Sequence, residues 1–382
     1  MPETFIDPNP FLLTLFLVFC FCFLVQMGFY WGIFSRLGTK APVTSHQSPV
    51  TSHPPGVSVV ICAHNEQHHL QKVLPQILEQ DYPEYEVVVV NHASDDDTSF
   101  LLSGLADKYP HLKVVDIKED LNFFTGKKFP LSIGIRSARY DTVLLTDADC
   151  RPAGNQWIRS MSRAFTDRTK IVLGYGPYER RKGTLNKLIR FDTVQVAIQY
   201  LSFALAGIPY MGIGRNLAYK KALFFREKGF TSHYRISSGD DDLFINQVAR
   251  KQNTAVATDP ASFTWSEPKT SLGRWITQKR RHFSTGSHYK FKHQFLLGLY
   301  AGTQLGFWIL LILLLTWKFA WLFVFGVLLL KWISQYVVFG RWIYRLQEYD
   351  LIVWIPLLEW VLLILQTGIG AVNLIRHPRK WK

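Results

Sequence analysis

The sequence predicts an α/β domain with a mainly parallel sheet, set between α-helical segments long enough to cross a bilayer. Three observations carry this. Short β-branched runs alternate with amphipathic stretches between Val57 and Thr146, polar clusters follow those runs directly, and long uncharged stretches occupy both ends of the 382-residue chain. Continuous apolar strands alternating with helices make a parallel sheet covered on both faces.

Taken in order, Phe11 to Phe34 is 24 residues without a charge. As a helix that is about 36 Å, against a hydrocarbon core of about 30 Å. A cleaved leader is the competing reading; Glu3 and Asp7 ahead of the run, and the lack of a small-residue site after it, speak against one. An N-terminal transmembrane helix is therefore expected within 1–37. Residues 38–56 repeat PVTSH at 42–46 and 49–53 and read as a flexible linker. Strands are expected at 57–62, 86–90, 113–117 and 142–146, with helices at 67–79, 98–108 and 127–139, all in a domain over 57–290. Val194 to Met211 is 18 uncharged residues, long enough for a span, yet Gln195, Gln199, Ser202 and Pro209 favour a buried or membrane-surface helix. A C-terminal transmembrane region over 291–382 offers three further spans, near 294–316, 319–339 and 351–374. Trp308, Trp321, Trp332, Trp342 and Trp354 are expected towards the span ends, in the headgroup zone.

Hydrophobic residues at 48% and aromatic residues at 15% exceed the needs of a soluble core. The net charge of +14 invites a nucleic-acid reading. The basic residues lack interleaved base-stacking aromatics in the central domain, and many flank the spans, as at Lys279, Arg280, Arg281, Lys290 and Lys292. That pattern places the domain on the cytoplasmic face of a multi-pass protein of the inner or plasma membrane, against anionic lipid. Three further spans put the basic tail 376–380 on the outside, against the same rule. Cys20, Cys22, Cys62 and Cys150 form no disulfide or metal-knuckle spacing.

Ligands of parallel sheets bind at the carboxyl ends of the strands, where AHNE, NHASDDD and DAD all fall. In an extended backbone Asp147 and Asp149 share one side. Such a pair suits Mg²⁺ or Mn²⁺ carrying a nucleotide diphosphate, a solvated acidic turn being the bland alternative. Gly239-Asp240-Asp241-Asp242 crowds three carboxylates, which raises the pKa of at least one and suits a general base, with Asp241 the choice. The same run reads as a helix start capped by Ser238, and both can hold. Gln278-Lys279-Arg280-Arg281-His282 is a basic juxtamembrane patch in which Arg281 is able to fork onto a diphosphate. His64, His68 and His69 lack partners at metal-ligand spacing. Glu359, Gln366 and Asn373 recur every seven residues on one face of the last span, either lining a sugar passage or making helix contacts.

These motifs together resemble glycosyltransferase family 2, the inverting transferases of GT-A fold, and in particular its membrane branch of cellulose, hyaluronan, chitin-oligosaccharide and poly-N-acetylglucosamine synthases. The resemblance covers about 57–285 and the placement of the spans. It implies nucleotide contacts at Ala63 and Glu66, metal and diphosphate contacts at Asp147 and Asp149, and an acceptor-side segment at Gly214-Arg215-Asn216. It also implies the base motif at Gly239-Asp240-Asp241, and the Gln-x-x-Arg-Trp motif of processive members at Gln278, Arg281 and His282. Asn91-His92 replaces the family's acidic pair, and an Asn amide offers both a donor and an acceptor to a uracil edge. His282 stands where processive members carry the Trp that supports the acceptor sugar, which bears on processivity. The implied activity is transfer of a sugar from a UDP-linked or similar donor to a growing glycan or lipid-linked acceptor with a β-bond. Alternatives are single addition to a polyprenyl-linked acceptor, or a non-catalytic scaffold. Partner subunits are left open.

Overall fold

The computed structural model describes residues 9–38, 54–118, 126–236 and 238–375. The linker therefore lies outside the described residues over 39–53, as does the basic tail 376–380. Helix α1 (Pro10–Met27) continues through a π turn, Gly28–Ile33, into a 3₁₀ turn, Phe34–Gly38. Its start is set by Asn9, whose side chain accepts from the Phe11 N–H, and by Pro10 in the first turn, where a missing N–H costs nothing.

The sheet begins with β1 (Val57–Ala63), α2 (Gln67–Leu78), β2 (Tyr85–His92), α3 (Thr98–Lys108), β3 (Leu112–Ile117), α4 (Lys128–Ser137) and β4 (Thr142–Asp147). Each matches its sequence expectation to within two residues at either end. Then follow β5 (Cys150–Pro152), α5 (Trp157–Ser162), β6 (Ile171–Leu173), α6 (Thr184–Leu205), β7 (Leu217–Lys220), α7 (Lys221–Arg226), α8 (Asp242–Val248), β8 (Thr254–Val256), β9 (Thr264–Ser266) and α9 (Leu272–Phe283). The strand order is β3-β2-β1-β4-β7-β6-β8, with β5 and β9 paired separately. β3, β2, β1 and β4 run parallel, while β7 is antiparallel to both β4 and β6. In register, Ala63 faces Asn91 and Cys62 faces Asp147, so the carboxyl ends of three strands come level. Val57, Val59 and Ile61 pack on one side and Val60 on the other, which is why β1 reads as an unbroken apolar run.

Three further helices, α10 (Phe291–Thr316), α11 (Trp321–Arg345) and α12 (Ile355–Ile375, after a 3₁₀ stretch Tyr349–Trp354), complete a set of four long and apolar enough to cross a membrane. The uncharged segment Val194 to Met211 falls partly in α6, whose first half carries Lys187, Arg190 and Asp192. The α6 helix is buried on nearly every side, packed by Phe203 against Phe29 and Phe34. One apolar cluster therefore runs without a break from the sheet through α6 into Tyr300, Phe339 and Trp342. Arg190 of α6, 2% exposed, donates to Glu348 and Asp350 between α11 and α12 at 2.9 Å each. Two of the tryptophans in these helices pack against neighbouring helices. Trp308 and Trp342 are buried inside the bundle, Trp342 donating to the Phe34 carbonyl at 2.7 Å, because helix packing claims their faces.

Candidate active site

The acidic strand end is built first. Asp147 closes β4, and Asp149 follows after the buried Ala148. Ligand atoms of Asp147, Asp149 and Cys150 lie within 4.8 Å of one another. The two carboxylates fit a hard divalent cation, with phosphate oxygens completing its shell, whereas the neighbouring thiol is too soft a donor for one. Burial raises the Cys150 thiol well above its usual range, and its Sγ lies 3.0 Å from Ser266 Oγ. Burial opposes ionisation of Asp147, but the charge and hydrogen bond of Lys127, then Arg215 and Arg281, outweigh it and hold the carboxyl below its usual range.

Lys127 was not among the residues singled out by sequence. It stands just before α4 with its ammonium on Asp147, and its charge also meets Asp240. The signal was there in Gly126-Lys127-Lys128, a polar cluster at the carboxyl edge of the sheet. The second lysine is structural: Lys128, 3% exposed, donates to the carbonyls of His233 at 2.6 Å and Ile236 at 2.7 Å, fixing the chain that leads into the acidic run.

The base motif arrives through a short relay. Thr146 of β4 donates to the Arg215 carbonyl at 3.0 Å, and Gly214 donates its N–H to Asp241 Oδ2 at 2.7 Å. Gly239, at φ 96°, turns the chain into the acidic run, a conformation that suits glycine. Asp241 caps α8, its Oδ1 accepting from the Asp242 N–H at 2.7 Å. Burial, followed by the charges of Asp240 and Asp242, pushes the Asp241 carboxyl up to about 8 despite those two N–H bonds. A carboxylate so tuned is able to accept a proton near neutral pH. Asp242 is turned away, accepting from Thr285 and from the Tyr289 hydroxyl.

α9 completes the cleft. Ser271 caps it, accepting from the Arg274 N–H at 3.4 Å, and Trp275 anchors it in the core. Arg281 lies close enough for its charge to act on Asp147. Gln278 donates to Tyr178 Oη at 3.2 Å, and its buried Oε1 has no hydrogen-bond partner among the described residues. Arg215 lies 4.4 Å over the Tyr178 ring and donates to Ser266 Oγ at 3.3 Å. Burial works against its charge, but Tyr178, Cys150, Asp147 and Asp149 outweigh it. His282 keeps an exposed edge. Surrounding protein, then Lys279, Arg281 and Arg215, push it down to about 3, so the imidazole is neutral.

At the nucleotide end, Ala63 is buried beneath the β1 loop, 2% exposed. Glu66 Oε2 lies 2.6 Å from His69 Nδ1, and burial raises its carboxyl despite that contact. Two residues named from the sequence are held by internal hydrogen bonds. Asn91, 4% exposed, donates from Nδ2 to Ser99 at 2.7 Å and Asp116 at 2.8 Å, while its Oδ1 accepts from Ser94 at 2.6 Å. These bonds hold the loop that follows β2. Asn216 is fully buried, donating to the Tyr175 and Ser262 carbonyls and accepting from Trp157 Nε1 at 3.2 Å. It braces the Gly214-Arg215-Asn216 segment from within, and the charges of Asp147 and Asp149 act on its neighbour Arg215.

The family model described as Glycosyltransferase like family 2 matches residues 54–285. Among curated proteins, a probable glycosyltransferase, YdaM of Bacillus subtilis, is 26% identical over 255 residues, covering 63% of this chain and 58% of its own length. A poly-β-1,6-N-acetyl-D-glucosamine synthase of Staphylococcus epidermidis is 34% identical over 239 residues, covering 61% of this chain and 55% of its own length. The chain thus spans a little over half the length of these relatives. Among solved structures, the mannosyltransferase PcManGT of Pyrobaculum calidifontis, in complex with GDP-Man and Mn²⁺, superposes with TM-score 0.58 at 19% identity, covering 88% of this chain and 97% of that one. The likeness extends to the fold, a GT-A-like α/β domain.

Proposed function

The chain belongs to glycosyltransferase-like family 2, and we propose that it is an inverting, membrane-bound transferase moving a sugar from a nucleoside-diphosphate donor to a glycan or lipid-linked acceptor. The observation that carries this is the relay from Thr146 through Arg215 and Gly214 to Asp241, which ties the base to the strand bearing Asp147. The parts proposed are a membrane anchor within 1–37, a catalytic domain over 57–290 and a membrane region over 291–382.

Asp149 and Asp147 would hold a divalent cation, Mg²⁺ or the Mn²⁺ found in the mannosyltransferase complex. Bound there, it neutralises charge on the diphosphate. Lys127 and Arg281 bring cationic groups to the same place, where preorganised charge favours the leaving group. Asp241 takes the proton of the acceptor hydroxyl as that oxygen attacks the anomeric carbon. The bond to the diphosphate oxygen breaks on the opposite face, and the nucleoside diphosphate leaves with the electron pair. An α-linked donor gives a β-linked product.

The donor is taken as UDP-linked, and the poly-β-1,6-N-acetyl-D-glucosamine synthase relative supports N-acetylglucosamine as the sugar. Basic residues at the start of α10, Lys290 and Lys292, support a cytoplasmic catalytic face. Single addition to a polyprenyl-linked acceptor is the second reading. It is favoured by His282, a small neutral ring where an acceptor platform is expected. The test is nucleoside diphosphate release by the full chain in nanodiscs, with product sizing. A ladder supports processive synthesis, and one discrete product supports single addition.

A further inference from the structure

α9 holds four consecutive residues that go to four different places. Gln278 reaches Tyr178, Lys279 reaches α6, Arg280 reaches the last membrane helix, and Arg281 lies near enough for its charge to act on Asp147. The Lys279 ammonium lies 2.8 Å from Asp192 Oδ2, with both groups buried. The other oxygen, Oδ1, accepts from Gln366 Nε2 of α12 at 3.3 Å. One heptad on, Asn373 engages Arg280 twice. Its Oδ1 accepts from Arg280 Nε at 2.9 Å, and its Nδ2 donates to the Arg280 carbonyl at 2.8 Å.

The second of these bonds is informative. Carbonyls in the last turn of a helix lose their intrahelical partners. Here the closing N–H groups of α9 turn to the carbonyls of Arg281 and His282, as Ser284 to Arg281 at 3.3 Å and Thr285 to His282 at 3.4 Å. Asn373 supplies a donor to the Arg280 carbonyl from another helix. An amide in a membrane-crossing segment is costly unless both its ends are bonded, and here both are. The stripe Gln366 and Asn373 is therefore spent on α6 and α9.

We infer that Asn373 of the last membrane helix is a positioning residue for Arg281: by holding the final turn of α9 through Arg280, it sets the reach of the Arg281 guanidinium towards the donor diphosphate. Nucleotide affinity at the cleft is thereby coupled to the placement of α12. This rests on the reading of Arg281 as a diphosphate contact given above.

The experiment is a double-mutant cycle on the full chain in nanodiscs. Binding of UDP and of GDP, each with Mn²⁺, is measured by calorimetry for wild type, Asn373→Leu, Arg281→Ala and the double variant. Coupled residues show interaction energies that correspond to roughly a few-fold upwards in affinity, so Asn373→Leu is expected to weaken binding about fivefold alone. In the Arg281→Ala background the same change is expected to do nothing. Asn373→Asp, which keeps an acceptor for the Arg280 guanidinium, is expected to bind more tightly than Asn373→Leu, and it carries the test should the leucine variant fail to fold. An equal loss in both backgrounds, or no loss in the wild-type background, overturns the positioning role. If Arg281→Ala leaves both affinities unchanged, or wild type binds neither nucleotide, the reading of the cleft fails first and takes this one with it.

Discussion

The backbone N–H of Gly214 donates to Asp241 Oδ2 at 2.7 Å, and this single bond joins the segment after α6 to the acidic run before α8. It orients one carboxylate of a crowded trio. Burial and the charges of Asp240 and Asp242 then lift its pKa to about 8. The sign of the consequence is fixed: the base works when deprotonated, so activity is lost as pH falls through that value.

The kcat/KM profile is expected to rise with unit slope and level off near pH 8. Asp240→Asn removes one of the charges that raise Asp241, so the inflection moves to lower pH. A profile that is flat from pH 6 to 9, measured with a saturating metal concentration, would contradict the assignment of Asp241 as base.

Lys127→Met takes a cation from Asp147 and from the cleft. Loss of one preorganised charge contact costs roughly 100- to 1,000-fold in kcat. Mn²⁺ binding, read by paramagnetic broadening, is expected to survive, since both carboxylates remain. Unchanged turnover in this variant would remove Lys127 from the site.

Within the membrane helices, Lys331 and Glu359 form an ion pair at 2.8 Å, 0% and 2% exposed, with Gln304 also donating to Glu359. Breaking a buried pair from one side costs about 3–5 kcal/mol, because the other charge is left uncompensated. Lys331→Met or Glu359→Gln alone should therefore lower the thermal midpoint sharply, and Lys331→Met with Glu359→Gln should recover most of it. Additive losses would show that the pair is not a unit.

Asn216→Ala is expected to act on the fold. It leaves the buried Ser262 carbonyl and Trp157 Nε1 without the amide that bonds them, while the Tyr175 carbonyl keeps the Thr264 N–H at 3.4 Å. At about 1–3 kcal/mol for each unsatisfied group, unfolding rather than a raised acceptor KM is the expected phenotype. A stable variant with a selectively raised KM would return Asn216 to the acceptor side.

How far the sequence reached depends on what kind of information each feature carries. The strands were legible because Val57 to Ile61 and Val87 to Val90 are buried on both faces, and continuous apolar runs encode that. The four long apolar helices were legible by length. The α6 helix was legible by its internal Gln and Ser residues, which a buried helix tolerates better than one facing lipid. Direction was not legible: Asn91 and Asn216 sit in the right motifs, but only coordinates show their amides turned inward. Partners distant in sequence were equally hidden, since Asn373 meets Arg280 across 93 residues and Gln366 meets Asp192 across 174. Lys127 was passed over because a lysine pair beside a helix start resembles ordinary surface charge until Asp147 is placed next to it.

The most direct test of the account is donor turnover by the full chain in nanodiscs, with a panel of UDP- and GDP-sugars, Mg²⁺ or Mn²⁺, a membrane lipid extract as acceptor, and Asp241→Asn run in parallel. The account predicts nucleoside diphosphate release from one donor, dependent on the cation and abolished in Asp241→Asn while nucleotide binding is retained. Release that persists undiminished in Asp241→Asn, or no release from any donor by protein that binds the nucleotide, would contradict it.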